Sequence, residues 1–334
     1  MARVARFKIL DNDAWYHLYS RIAGRRDHYP LSEETSSRKL IGTFEHFSSI
    51  YFCEVAAFSV MGSHYHFVIK FEAQRPVEKD ELRARARLMY PSKTSQQRID
   101  EWTEVEWDHF RQRLFDVSEL MRNIQSGYAR WYNRHNQRRG RFWADRFKSV
   151  YLENEAAVLD CMLYVELNPL RAGLVDRPEE WRGSSIFLRD IGEADWLMPL
   201  SEILDQPSGS VGGVRGGGAG SVRGMCGQPC EEKALIEFRE RLYHRGRVPT
   251  KQGQATISQD VLEQEAARGF AKRGVYRKRL AYFVDGLAVG TEQFLRDQIA
   301  RMRENGQYLR RRNPIPQLGG VHLSLREQRS TSVL

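Results

Sequence analysis

Two runs of β-forming residues, Tyr51–Val60 (YFCEVAAFSV) and Tyr65–Phe71 (YHFVIKF), flank a turn at Met61-Gly62-Ser63. β-Branched and aromatic side chains suit a pleated, half-buried surface, and so short a connection makes adjacent antiparallel strands the natural reading. The rest of the first 206 residues must then cover a sheet. Ala14–Arg21 (AWYHLYSR) alternates like a third strand and Ser149–Glu153 reads as a fourth, with a helical stretch around 38–50 between the first two. Leu114, Val117, Met121, Ile124, Tyr128 and Trp131 recur at spacings of three and four, which predicts one long amphipathic helix from Phe110 against one sheet face. A second helix is expected over 156–167, ended by Asn168-Pro169, while 73–110 is polar and reads as helices and loops outside the core. The expected class is α+β, a mostly antiparallel sheet with helices on one face.

The stretch 207–224 (PSGSVGGVRGGGAGSVRG) cannot pack a core and reads as a flexible linker. It divides a main domain, 1–206, from a basic, mostly helical region, 225–334, with a disordered tail. In that region 234–242 is amphipathic, Leu262, Ala266 and Phe270 lie at helical spacing, and Thr291 is placed to cap a helix. Lys272, Arg273, Arg277, Lys278, Arg279 and Arg310–Arg312 make it strongly basic. Two roles fit: a DNA-binding accessory of helix-turn-helix type, or a helical cap on the core or a dimer.

Lys and Arg outnumber Asp and Glu by 52 − 43 = 9, which favours a polyanionic partner. The clustering is more specific than the sum. Arg134, His135, Arg138, Arg139, Arg141, Arg146 and Lys148 are interleaved with Tyr132, Phe142, Trp143 and Phe147, and cations with aromatic faces are what single-stranded nucleic acid requires. A solvated charged loop beside a core helix is the plainer alternative. No apolar run approaches the ~18 residues of a membrane span, and the basic N-terminus is followed by Leu10-Asp11-Asn12-Asp13 rather than a signal-like stretch, so a cytoplasmic protein is expected. Four cysteines give no disulfide framework. Cys53 and Cys161 read as core thiols, and Cys226 with Cys230 as at most half a metal site.

His64-Tyr65-His66 concentrates the chemistry. Residues two apart in a strand share a face, so two imidazoles converge as a metal half-site while Tyr65 turns away. On the 156–167 helix Tyr164 is followed four residues later by Asn168, so a phenol and an amide oxygen can approach one point. A phenol with an ordinary pKa of about 10 needs help to act as a nucleophile, and a metal-polarised phosphate offers it. Read singly, the His-x-His pattern also fits a structural pair, and Tyr164 a packed helix tyrosine.

These motifs in this order, Val60–Ser63 (VMGS) before His64-Tyr65-His66, then Gly140–Ser149 (GRFWADRFKS) and Tyr164–Val175 (YVELNPLRAGLV), closely resemble the REP-associated tyrosine transposases, a branch of the single-tyrosine HUH transposases. Tyr16–Arg21 (YHLYSR) and Trp181–Ser185 (WRGSS) resemble further landmarks, and the likeness spans about residues 5–190. It implies a ferredoxin-like, RRM-like fold, with the histidines on a central strand and the tyrosine on a facing helix. His64 and His66 would bind Mg²⁺ or Mn²⁺ with Asn168 as third ligand, although an Asn before Pro also suits a helix end. Tyr164 would attack the scissile phosphate of hairpin-forming single-stranded DNA, leaving a 5′-phosphotyrosine and a free 3′-hydroxyl. Arg138, Arg139, Arg141, Arg146, Lys148 and Arg171 would contact phosphates, with Phe142 and Trp143 stacking on bases. A homodimer is compatible with the resemblance. The rival readings are a non-catalytic DNA-binding regulator on an RRM-like sheet, and a metal-dependent phosphodiesterase that uses activated water.

Overall fold

The computed structural model describes residues 8–24, 28–204, 228–249, 253–267, 269–270, 287–304, 315–316 and 323–324. Strands β1 (Ala14–Arg21), β2 (Cys53–Val60), β3 (His64–Phe71) and β4 (Lys148–Leu152) form a sheet in the order β2-β3-β1-β4, each antiparallel to its neighbour. Helix α1 (Glu34–Ile50) connects β1 to β2. Between β3 and β4 come α2 (Lys79–Met89), α3 (Lys93–Asp100), α4 (Glu104–Leu114) and α5 (Val117–His135). With α1 and α5 as the crossing helices this is a βαββαβ ferredoxin-like unit, an α+β arrangement as expected.

Three details differ from the sequence reading. Helices cover both sheet faces rather than one. Tyr16, Leu18, Tyr65, Phe67 and Ile69 pack with Leu40 and Phe44 of α1 and Met121, Ile124 and Tyr128 of α5. On the other face, Val68, Val150 and Leu152 pack with Val158, Cys161, Met162 and Val165 of α6 (Glu155–Glu166). Strands β2 and β3 are buried along almost their whole length because both faces of the sheet are covered. The polar segment 73–110 also reaches the core: Leu82, Ala86, Ile99, Trp107 and Phe110 are buried in the first cluster. Finally, the apolar stripe that begins near Phe110 spans two helices. The chain breaks at Phe115-Asp116, where Asp116 Oδ1 accepts the Ser118 N–H at 2.6 Å and starts α5.

Beyond α6 lie α7 (Asn168–Arg171), α8 (Ser185–Asp190) and α9 (Leu200–Leu204). The expected linker, 207–224, and the basic residues 272–279 and 310–312 lie outside the described residues, as does Cys226. What is described past the linker joins both cores. Leu295, Ile299 and Met302 are buried in the first cluster. In the second, Ala234, Phe238, Leu242 and Tyr243 of α10 (Gln228–Gly246) are buried with the apolar side of α6. After α11 (Gln259–Ala267), strand β5 (Ala288–Gly290) pairs in parallel with β4, and α12 (Glu292–Glu304) is capped by Thr291, whose Oγ1 accepts the Phe294 N–H. Two-residue strands β6 (Ile315–Pro316) and β7 (Leu323–Ser324) complete the sheet edge. Among the described residues no helix is long and apolar enough to cross a membrane.

Candidate active site

The register sets the site. Across the β1–β3 ladder Arg21 lies opposite His64, Tyr19 opposite His66 and His17 opposite Val68. On the other side of β1, Lys148 lies opposite Tyr19 and Val150 opposite His17. Because side chains alternate, Arg21, Tyr19, His17, His64, His66 and Lys148 all project from the face that α6 covers. Tyr65 projects to the opposite face, as its position between the histidines requires, and its hydroxyl accepts from Gln125 Nε2 at 3.1 Å.

His64 and His66 have ring centroids 5.1 Å apart and planes 87° apart. Tyr164, brought over the sheet by α6, meets His66 edge-on at 5.5 Å between centroids and His17 at 6.0 Å. The helix begins where Asn154 Oδ1 accepts the Ala157 N–H at 2.9 Å. Its other end is tied by Asn168, whose Nδ2 donates to the Tyr164 carbonyl at 3.0 Å and the Val165 carbonyl at 3.4 Å. Asn168 thus ties the helix end through its Nδ2, one residue past the C-cap Leu167.

Burial and the Arg21 guanidinium push His64 down to about 4. Burial, then His17, His64 and Arg21, hold His66 well below the usual imidazole range. Both rings are therefore neutral near pH 7, the state a metal ligand needs. Each has its Nδ1 engaged: His64 with Ser63 Oγ at 3.1 Å, and His66 with His17 Nε2 at 2.9 Å. That leaves Nε2 of both, two nitrogen donors of the kind a borderline divalent ion takes. Among the described residues no group of three His, Cys, Asp or Glu side chains is arranged to hold a metal. His66 is fully buried and His64 half-buried, so the His64 edge is the approach to the pair.

The basic segment divides. Arg139, Arg141, Arg146 and Lys148 are exposed, and Arg138 is half-buried with one Nη lacking a partner. Residues 142–144 run beside the end of β1, with Ala23 N–H donating to Phe142 O and Ala144 N–H to Arg21 O, which places this segment at the open end of the site. Phe142 and Trp143 do not face a strand of nucleic acid. They are 2% and 8% exposed, packed against Tyr128 and Tyr132, and Trp143 Nε1 donates to the Gln125 carbonyl at 2.9 Å. Their apolar area and a single indole donor are satisfied by the core, which leaves no face for a base. Arg171 is likewise inside: it is 9% exposed, donates to the Arg245 carbonyl at 3.1 Å, and is lowered to about 10 by burial and by Arg245. Through Nη2 it ties α7 to α10, while its Nε and Nη1 have no hydrogen-bond partner among the described residues.

Sequence reasoning missed His17, Tyr19 and Arg21. Their signal was present in the alternation of β1, but which strand pairs with β3 on its free side is a tertiary fact.

No family model and no curated protein matches the chain. Among solved structures it is similar to a REP-associated tyrosine transposase bound to a REP hairpin, at 16% sequence identity over 59% of this chain and 92% of that one, with a TM-score of 0.39.

Proposed function

We propose that this chain is a divalent-metal-dependent endonuclease and strand transferase for hairpin-forming single-stranded DNA, with Tyr164 as its nucleophile. One observation carries the reading: a phenol held on a helix over a strand pair that presents His64 and His66 as neutral imidazoles, with ring centroids 5.5 Å apart between Tyr164 and His66. The ordered motifs of the sequence support it independently.

His64, His66 and Asn168 would hold Mg²⁺ or Mn²⁺, which when bound polarises the scissile phosphate and offsets its developing charge. The chain's own residues do the rest. Arg21 and Lys148, exposed at the open end of the catalytic face, and Arg139, Arg141 and Arg146 beside it bind the sugar-phosphate backbone and set its register. Tyr164 Oη gives up its proton and attacks phosphorus, the bond from phosphorus to the 3′-oxygen breaks, and the 3′-oxygen takes up a proton in its place. The DNA 5′-phosphate is then joined to tyrosine. Attack by a 3′-hydroxyl reverses the step and rejoins a strand, and because one phosphodiester replaces another, no nucleotide cofactor is consumed.

The test is incubation of wild-type protein with labelled single-stranded hairpin DNA, with Mg²⁺, Mn²⁺ or EDTA, on a denaturing gel. A covalent band that needs metal and disappears in His64→Ala supports the proposal. Tight binding with no adduct on a range of hairpins points to a binding module, and cleavage with no adduct to a water nucleophile.

A further inference from the structure

His17 is the third imidazole of this face. It is completely buried, cross-strand from Val68 and Val150, and its ring lies within 11° of the plane of His66. Its Nε2 is 2.9 Å from His66 Nδ1. Two neutral imidazoles at that distance share one proton, and the direction of sharing has a chemical consequence. If His17 donates, His66 accepts at Nδ1 and carries its own proton on Nε2, where no lone pair is left for a metal. If His66 donates, its Nε2 lone pair is open toward the site. Outer partners of this kind commonly fix the tautomer of a ligating histidine.

We propose that His17 is a positioning residue: it accepts the Nδ1–H of His66 through its Nε2, fixes His66 as the Nδ1–H tautomer, and aims His66 Nε2 as a metal ligand. The inference rests on the reading that His64 and His66 hold a divalent ion. Ser63 Oγ, 3.1 Å from His64 Nδ1, stands in the same relation to the other histidine. The two supports differ in kind. A hydroxyl rotates and can accept or donate, whereas His17 is a rigid ring locked between strands. The direction of the His17–His66 bond is therefore the one that decides whether the site is competent.

The test uses the metal-free full-length protein. Mn²⁺ is titrated calorimetrically into wild type, His17→Phe, His17→Gln and His66→Ala, with far-UV circular dichroism and melting as folding controls. The expected result is Mn²⁺ affinity about 10–100-fold weaker in His17→Phe, largely restored in His17→Gln, whose carbonyl can accept the same proton. Unchanged affinity in His17→Phe, with affinity lost in His66→Ala, overturns the role of His17 and leaves the metal site standing. Mn²⁺ binding that His66→Ala does not weaken, or no binding by wild type, overturns the metal reading itself. Should the Phe variant not fold, long-range ¹H–¹⁵N spectra of the wild-type imidazoles decide. Protonation of His66 at Nδ1 is expected, and protonation at Nε2 with His17 donating contradicts the proposal.

Discussion

Tyr19 and His66 face each other across the β1–β3 ladder with ring centroids 4.8 Å apart and planes 32° apart. Lys148, on the far side of Tyr19, holds its Nζ 5.8 Å from the Tyr19 ring. A cation is thus positioned two strands away from the His-x-His pair, across β1, at the exposed end of the same face, where its attraction to phosphate is screened by salt. Lys148→Ala and Arg21→Ala are each expected to weaken binding of single-stranded DNA and to reduce the slope of log affinity against log salt by about 0.7, one phosphate contact. Fluorescence anisotropy across a salt series measures it. Slopes equal to wild type in both variants would remove these residues from the DNA path.

Trp143 offers the opposite expectation. Its ring is core and its Nε1 is paired with Gln125 O, so Trp143→Ala is expected to lower stability by about 3–5 kcal/mol through lost burial and a cavity. Urea midpoints report the loss. At a temperature where the variant stays folded its DNA affinity should stay near that of wild type, and a large affinity loss in a fully folded variant would put the ring back at the interface.

Glu166 gives the fold a pH dependence. Its carboxyl is 1% exposed, accepts from Ser185 Oγ, and is pushed up to about 7 by burial, against the lowering effects of Ser185, the Ile186 N–H and Arg189. Between the ordinary carboxyl value of 4.5 and about 7 the folded chain keeps this proton while the unfolded chain has lost it. Stability therefore falls as pH rises through that window, by on the order of 3 kcal/mol in total. Glu166→Gln is expected to flatten this component and to raise the denaturation midpoint at pH 8 relative to wild type, with Arg189 still paired to Glu231 at 3.4 Å. Parallel pH profiles for the two proteins would contradict the assignment.

Gly183 marks a close approach of chain segments. A Cβ there would lie 2.6 Å from the Val60 carbonyl oxygen and 2.8 Å from Trp181 Nε1, two atoms already joined by a 2.9 Å hydrogen bond. Backbone and a packed indole cannot yield cheaply. Gly183→Ala is expected to cost about 1–3 kcal/mol, read as a lower midpoint in chemical denaturation, whereas an unchanged midpoint would mean that the Trp181 turn moves freely.

Much of the site was legible in the sequence because its logic is local. Alternation in a strand places His64 and His66 together and Tyr65 apart, and a four-residue spacing links Tyr164 to Asn168. The long-range half was not. Nothing in β1 says that His17 will meet His66, since the strand order β2-β3-β1-β4 is settled by packing on two faces. The aromatics between the arginines of 138–148 read alike whether they point to a base or to Tyr128. The apolar stripe from Phe110 continues in phase across Phe115-Asp116, so it hides the break between α4 and α5.

The central claim is that the Tyr164 hydroxyl becomes joined to DNA. Wild-type protein is incubated with Mn²⁺ and a hairpin-bearing single strand, the covalent product is digested with protease and nuclease, and the modified peptide is sequenced by mass spectrometry, with Tyr164→Phe in parallel. The expected result is a nucleotide 5′-phosphate on Tyr164 in wild type and no adduct in the variant, which still binds the DNA. An adduct on another residue, or one that persists in Tyr164→Phe, would contradict it.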